Sequence, residues 1–276
     1  MEYYSYVLNR NYIGNHKEMD AEKWLEKLAN LQGVEGFIYQ NYCKEGHGER
    51  NYFKDSNGKK IDAIRLQIEK WKSSGEIAED LYFFLLATLL ESADKVANTA
   101  SVYGAYLKHI KKTANKELAI LPAAYNHTYA AHSVYQSDAN ELIKEIVGDI
   151  LYLDPPYNAR QYGSNYHMLN TIAQYNTFEP KGVTGLPEYN RSAYCSKVSV
   201  KQSFEELISK AQFKYLFWSY NNEGLMSHDE IFEILSRYGK VELKTQEYQR
   251  FKADKTENRN HTASETLEYL FCLEKD

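Results

Sequence analysis

The apolar run Asp149-Ile150-Leu151-Tyr152-Leu153 stops abruptly against Asp154-Pro155-Pro156-Tyr157. Such a short run, rich in branched and aromatic side chains, reads as a buried strand. Proline lacks an N–H and has a fixed φ, so two in succession end the strand and stiffen the turn after it. The whole chain holds only five prolines, and two of them are adjacent here. An acidic residue, two prolines and an aromatic at a strand's C-terminal end make a rigid corner. Its carboxylate, backbone carbonyl and ring face one cleft and suit a flat, amine-bearing ring. The competing reading is a strand-to-loop turn in which the prolines merely stop the strand. By average residue frequencies the literal string occurs in roughly one protein per thousand of this length, so its surroundings must decide.

Those surroundings alternate strand and helix. Thr128–Gln136, Ile150–Leu153 and Phe213–Ser219 read as strands, with helices from Asp138 and over Lys201–Lys210 and Asp229–Tyr238. Val241–Phe251 and Leu267–Leu273 come next with no helix between them, which predicts an antiparallel hairpin at the edge of an open α/β sheet. In such sheets the ligand sits beyond the C-terminal strand ends. Both the Asp154 corner and Ser219-Tyr220-Asn221-Asn222 are such ends.

The first half reads as mainly helical. Tyr3 to about Leu31 is helical with a polar break over Asn11–Lys17, and Gly33–Gly58 is loop-like and closes on the turn signal Asn57-Gly58. Ile61, Ile64, Ile68 and Trp71 then recur at helical spacing. A long helix is expected from Glu79 to Lys112, broken near Asn98. Its basic, aromatic end around Tyr103, Lys108, Lys111 and Lys112 fits either cations at a helix C-terminus or a phosphate-contacting surface. Gly46-His47-Gly48 is the only Gly-x-Gly, and no third glycine or apolar helix comes after it to make it a nucleotide loop.

Composition narrows the function classes. No apolar stretch approaches membrane-spanning length, and the N-terminal residues carry no secretion signal. Cys43, Cys195 and Cys272 are far apart and the histidines are scattered, so no metal site is expected. An odd cysteine count without a signal fits a reducing cytoplasm. The net charge is −5, so any nucleic-acid contact must come from local basic surface. The 25 tyrosines suit base stacking but equally any sticky surface.

Taken with its neighbours, the corner resembles that of bacterial adenine-specific DNA methyltransferases with an Asp-Pro-Pro-Tyr motif, particularly the FokI-like branch of restriction–modification enzymes. The resemblance rests on Leu153-Asp154-Pro155-Pro156-Tyr157-Asn158, Arg160-Gln161-Tyr162, Asn165-Tyr166-His167 and Ser219-Tyr220-Asn221-Asn222-Glu223-Gly224, with support from Asn57–Arg65 and Ala97–Ala105. It runs through essentially the whole chain from Tyr3. It implies a Rossmann-like class I S-adenosylmethionine-dependent methyltransferase sheet with an antiparallel C-terminal edge hairpin and an inserted, mainly helical target-recognition domain. Residues 1–33 and 117–276 would form the catalytic domain, and 34–116 the insert.

The resemblance further implies methyl transfer from S-adenosylmethionine to the exocyclic amine of adenine in double-stranded DNA. The base would be flipped out at a cost of a few kcal/mol and stacked on Tyr157, worth ~1–3 kcal/mol. Asp154 and the Pro155 carbonyl would accept hydrogen bonds from the amine and aim its nitrogen at the methyl, while Pro156 stiffens the corner and Asn158 supports it. Positioning rather than a strong base would supply much of the acceleration. Asp138, with Ala139 and Asp154, would contact the cofactor; Asp138 also reads simply as a helix N-cap. Arg160, Tyr162, Asn165, Tyr103, Lys108, Arg250 and Lys252 are the candidate DNA contacts. The loop holding Arg250 and Lys252 reads equally as a solvated charged hairpin, and Arg160–His167 as a mobile lid.

One part of the family's pattern is missing. A Phe-x-Gly-x-Gly loop after a first strand, and an acidic residue for the cofactor's ribose, have no counterpart in this sequence. The resemblance therefore implies an N-terminally truncated chain, for which two readings stand. In one it is an adenine methyltransferase completed by an N-terminal polypeptide and partnered with a cognate restriction endonuclease. In the other it is a catalytically dead remnant that binds DNA or a partner subunit.

Overall fold

The computed structural model describes residues 2–14, 19–126, 130–249 and 265–276. In chain order its elements are α1 (Tyr3–Tyr12), α2 (Glu22–Ala29), α3 (Phe37–Tyr42), α4 (Asp55–Ser73), α5 (Glu79–Lys95), α6 (Ala139–Leu142), β1 (Val147–Leu153), α7 (Tyr162–Asn165), α8 (His167–Gln174), α9 (Val200–Lys210), β2 (Gln212–Asn221), α10 (His228–Leu235), β3 (Gly239–Gln249) and β4 (Glu265–Lys275). They divide into two units: Met1–Gln136 with Tyr162–Tyr189, and Ser137–Gln161 with Asn190–Asp276. No helix among the described residues is long and apolar enough to cross a membrane.

The first unit is helical. Ile61, Ile64, Ile68 and Trp71 of α4 are all buried, as their spacing predicts. Asn57-Gly58, expected as a turn, lies instead inside the first turn of α4. The reason is tertiary. A Cβ at Gly58 would sit 2.2 Å from Cys43 Sγ, and the Asn57 amide bonds the Lys116 carbonyl (2.9 Å) and the Leu118 N–H (2.8 Å). The long helix expected to reach Lys112 ends at Lys95. There the Asn98 amide donates to the carbonyls of Asn51 and Leu107 (2.9 Å each) and accepts from the Lys111 N–H (3.0 Å). Side-chain bonds of this kind offer the backbone an alternative to the helix.

Two buried charges tie this unit together. The Asp62 carboxylate, 0% exposed, accepts from the N–H groups of Gly36 (3.1 Å), Ile38 (2.9 Å) and Tyr39 (2.8 Å), and from the Tyr175 hydroxyl. It thus satisfies the N-terminus of α3, which has no cap of its own. Arg65, 4% exposed, donates to the carbonyls of Ile172 (3.1 Å) and Ala173 (3.0 Å) at the end of α8, matching its charge to the negative end of that helix.

The second unit is the α/β sheet. Strand order is β1-β2-β4-β3, with β1 parallel to β2 and β4 antiparallel to both its neighbours. The expected terminal hairpin is present, with β4 placed between β2 and β3. The region 130–136 holds no strand, and residues 128–129 lie outside the described residues. One face of the sheet packs on the helices. Leu151 and Leu153 of β1 lie opposite Leu216 and Trp218 of β2, which lie opposite Leu273 and Phe271 of β4. All six belong to one core with Phe204, Leu207 and Ile231. β1 itself departs from the buried strand expected. It is an edge of this sheet, and Val147, Ile150 and Tyr152 are 69%, 62% and 60% exposed. Ile150 and Tyr152 alternate with Leu151 and Leu153, so they lie on the face opposite that core.

Asp62→Ala leaves three N–H groups without their acceptor, at about 1–3 kcal/mol each when buried. We expect a loss of at least about 3 kcal/mol, read as a fall in the thermal midpoint on the order of 10 °C. Asp62→Asn keeps one acceptor oxygen and should lose less. An unchanged midpoint for the alanine variant would contradict this assignment.

Candidate functional site

Parallel pairing sets Leu153, the last residue of β1, beside Trp218, and β2 runs three residues further, to Asn221. The chain leaves β1 through Asp154-Pro155-Pro156-Tyr157 and leaves β2 through Asn221-Asn222, and the two exits are bonded. The Tyr157 carbonyl accepts from the Leu225 N–H at 2.9 Å and from the Tyr220 hydroxyl at 3.4 Å. The Tyr220 hydroxyl in turn accepts from the Met226 N–H at 3.3 Å. The Tyr157 and Tyr220 rings meet edge to face, 6.4 Å apart at 83°. Gly224 permits this, because a Cβ there would sit 2.0 Å from the Tyr220 ring.

Downstream the corner is braced. Asn158 Oδ1 accepts from the Arg160 N–H at 2.9 Å, the geometry of an Asx turn. The Arg160 carbonyl accepts from Cys195 Sγ at 3.4 Å. Gln161 clasps Ser192, accepting from its N–H at 2.8 Å and donating to its carbonyl at 3.4 Å.

Asp154 keeps one side open to solvent, and burial on the other pushes its carboxyl above the ordinary aspartate range. Glu268 was not among the residues singled out in the sequence. It is the register partner of Asn221 across the β2–β4 pair. Burial raises its carboxyl, and the nearby Asp154 and Glu223 charges add to this, against a hydrogen bond from Asn221 that lowers it. No motif signals Glu268, since only register brings β4 to this end of the sheet. Asn221 is itself 3% exposed, with Oδ1 accepting from the Glu223 N–H at 3.1 Å.

Asp138 caps α6, its carboxylate accepting from the Asn140 N–H at 2.8 Å. Asp138 and Ala139 are both exposed. Asn140 is held by the Ser203 carbonyl (2.9 Å) and by the Tyr194 hydroxyl, which donates to its Oδ1 at 2.8 Å. The exposed carboxylate is therefore presented at a fixed point beside α9.

The candidate DNA contacts separate. Arg160 is exposed in the sheet unit, while Tyr162, Asn165, Tyr103 and Lys108 belong to the helical unit. Tyr162 is 44% exposed and Lys108 is exposed. The Asn165 carbonyl accepts from the Tyr103 N–H at 2.6 Å. Tyr103, expected at a surface, is a core residue at 1% exposure. Its hydroxyl donates to Asp94 (2.6 Å) and its carbonyl accepts from Tyr52 (2.8 Å), so its polar tip is satisfied inside the protein. Arg250 and Lys252 lie outside the described residues.

Gly224→Ala should displace the Tyr220 ring and cost about 1–3 kcal/mol, read as a lower urea midpoint. Combined with Tyr220→Ala, the same change should become nearly neutral; full additivity would argue against the contact.

Residues 1–234 match the model of the D12 class N6 adenine-specific DNA methyltransferases. Over 276 residues the chain is 63% identical to the Type II methyltransferase M.NlaIII of Neisseria lactamica, covering all of this chain and 83% of that protein. It is 39% identical to M.CviAII of Paramecium bursaria Chlorella virus 1, covering 99% of this chain and 81% of that one. It is also 39% identical to M.FokI of Planomicrobium okeanokoites, of which it spans only 44%. No solved structure matches it. With its Asp-Pro-Pro-Tyr corner braced at the end of a mixed α/β sheet, the chain belongs to the D12 class of N6 adenine-specific DNA methyltransferases.

Proposed function

We propose that the Asp154 corner receives an adenine flipped out of double-stranded DNA and directs its exocyclic amine toward the methyl group of S-adenosylmethionine. The observation that carries this reading is the bracing of Tyr157 by Leu225 and Tyr220. It ties down the turn in which a carboxylate, the Pro155 carbonyl and an aromatic ring come together at one strand end. Asp154 and the Pro155 carbonyl accept the two amine hydrogens, which orients the nitrogen lone pair. Tyr157 offers its ring to the base, and Pro156 and Asn158 keep the turn stiff. Most of the gain comes from such positioning.

When bound, S-adenosylmethionine supplies an electrophilic methyl on a positively charged sulfur. The residues present fit part of it. The exposed Asp138 carboxylate, fixed by its capping bond, can accept from the cofactor's adenine amine, with Ala139 beside it and Asp154 toward the reactive end. The sequence holds no Phe-x-Gly-x-Gly loop for the methionine end. The exposed Ile150 and Tyr152 on the outer face of β1, with Val147 at its start, support a complementing polypeptide that covers this face. Arg160, Tyr162, Asn165 and Lys108 remain the proposed DNA contacts, with Arg250 and Lys252. Residues 34–116 are proposed as the target-recognition insert. The names of the relatives support a restriction–modification setting, with a cognate endonuclease acting on the same sites in a bacterial cytoplasm.

The test is incorporation of labelled methyl into adenine-containing duplexes, with the chain alone and with a relative's complementing segment supplied. Asp154→Ala should abolish transfer while the unfolding midpoint stays unchanged; retained transfer would refute the assignment. A raised carboxyl protonates at higher pH, so acidification should remove the acceptor early. The acid limb of kcat/KM should therefore lie above the ordinary aspartate value of about 3.9. For the chain alone we expect calorimetric dissociation constants for S-adenosylmethionine above about 100 μM. Tight binding would remove the case for a complementing segment. No transfer under any condition, with DNA still bound, would favour the binding-only reading.

A further inference from the structure

Beyond the catalytic corner, on the same sheet unit, lies a cavity of about 550 Å³ between the start of α9 and the loop joining β2 to α10. Lys197, Lys201, His228, Tyr269 and Asn222 line it, with Glu230 as its one carboxylate. Gly224, Leu225, Met226 and Ser227 also line it, the stretch whose Leu225 N–H holds the Tyr157 carbonyl. The cavity and the corner therefore share one loop.

The lining is rich in donors. Lys197 and Lys201 are exposed. Glu230 is committed elsewhere: it accepts from the Ser227 N–H at 2.8 Å in a capping box and pairs with Lys201. That pair fixes the position of the Lys201 ammonium. The His228 imidazole packs against Phe232 and Tyr269, at 6.1 and 5.8 Å, and its Nδ1 pairs with Asp229 at 2.8 Å. Tyr269 presents a phenol beside these groups. With so polar a lining, the site suits a sugar–phosphate better than a base.

We propose that this cavity seats the phosphodiester backbone of the DNA strand beside the target adenine, with Lys197 and Lys201 as its phosphate contacts. The proposal rests on the reading that the chain acts on DNA. Neutralising a phosphate releases condensed counterions, so each contact adds to the salt dependence of binding.

The experiment is fluorescence anisotropy of a mixed-sequence duplex, titrated across a range of salt concentrations. Lys197→Ala should lower the slope of log affinity against log salt by about 0.9, and Lys201→Ala by a similar amount. Lys201→Arg should keep the wild-type slope. Lys210→Ala, the same charge change at the far end of α9, should leave it unaltered. Equal slopes for wild type, Lys197→Ala and Lys201→Ala would overturn the proposal while the DNA reading stands. A wild-type chain with no salt-dependent affinity for duplex would overturn both. If free nucleotide at equal phosphate concentration displaces the duplex from wild type and from Lys197→Ala alike, the cavity is not a phosphate site.

Discussion

Parallel pairing of β1 with β2 is the contact on which the site depends. It sets Leu153, where β1 ends, level with Trp218, so the Asp154 corner leaves β1 beside the last three residues of β2. Only then can the Tyr157 carbonyl meet the Leu225 N–H. A shift of one residue would turn Leu151 and Leu153 away from the core and carry Asp154 to the other face. The register is held by burial: Leu216, Trp218, Phe271 and Leu273 are 2% exposed or less, and Trp218 lies 4.2 Å from the Phe204 ring of α9. Core packing and the geometry of the Asp154 corner are thus consequences of one alignment.

Around that alignment backbone groups of the corner are met by a few side chains. The Tyr220 hydroxyl bonds the Tyr157 carbonyl and the Met226 N–H, Asn158 the Arg160 N–H, and Cys195 the Arg160 carbonyl. Gly224 is needed because the Tyr220 ring occupies the space a side chain would need. The helical unit is held differently. Buried charges, Asp62 and Arg65, each satisfy several orphaned backbone groups at a helix end, where removing one partner costs more than the pair contributes.

Much of the sheet was legible because strands and amphipathic helices carry local periodicity. The helix through Ile61, Ile64, Ile68 and Trp71, the strand through Trp218 and the terminal hairpin could all be read directly. The failures share a cause. Asn57-Gly58 carries turn chemistry, yet it sits in a helix because Cys43 and the Lys116–Leu118 backbone surround it. Tyr103 looked like an exposed aromatic among lysines, yet its ring is buried and its hydroxyl meets Asp94. The helix beyond Lys95 fails because Asn98 finds backbone partners at Asn51, Leu107 and Lys111. In each case groups distant in sequence override a local preference.

The sequence by itself determined that an apolar strand must end at two prolines, that an acid and an aromatic flank them, and that strands and helices alternate around this corner. Those are properties of local covalent geometry and period. The tertiary structure alone decided that β1 is an exposed edge, that Glu268 shares the electrostatic surroundings of Asp154, and that Lys197 and Lys201 line a cavity sharing a loop with the corner. These depend on strand order and register, which are set by long-range burial and which no short stretch of sequence encodes.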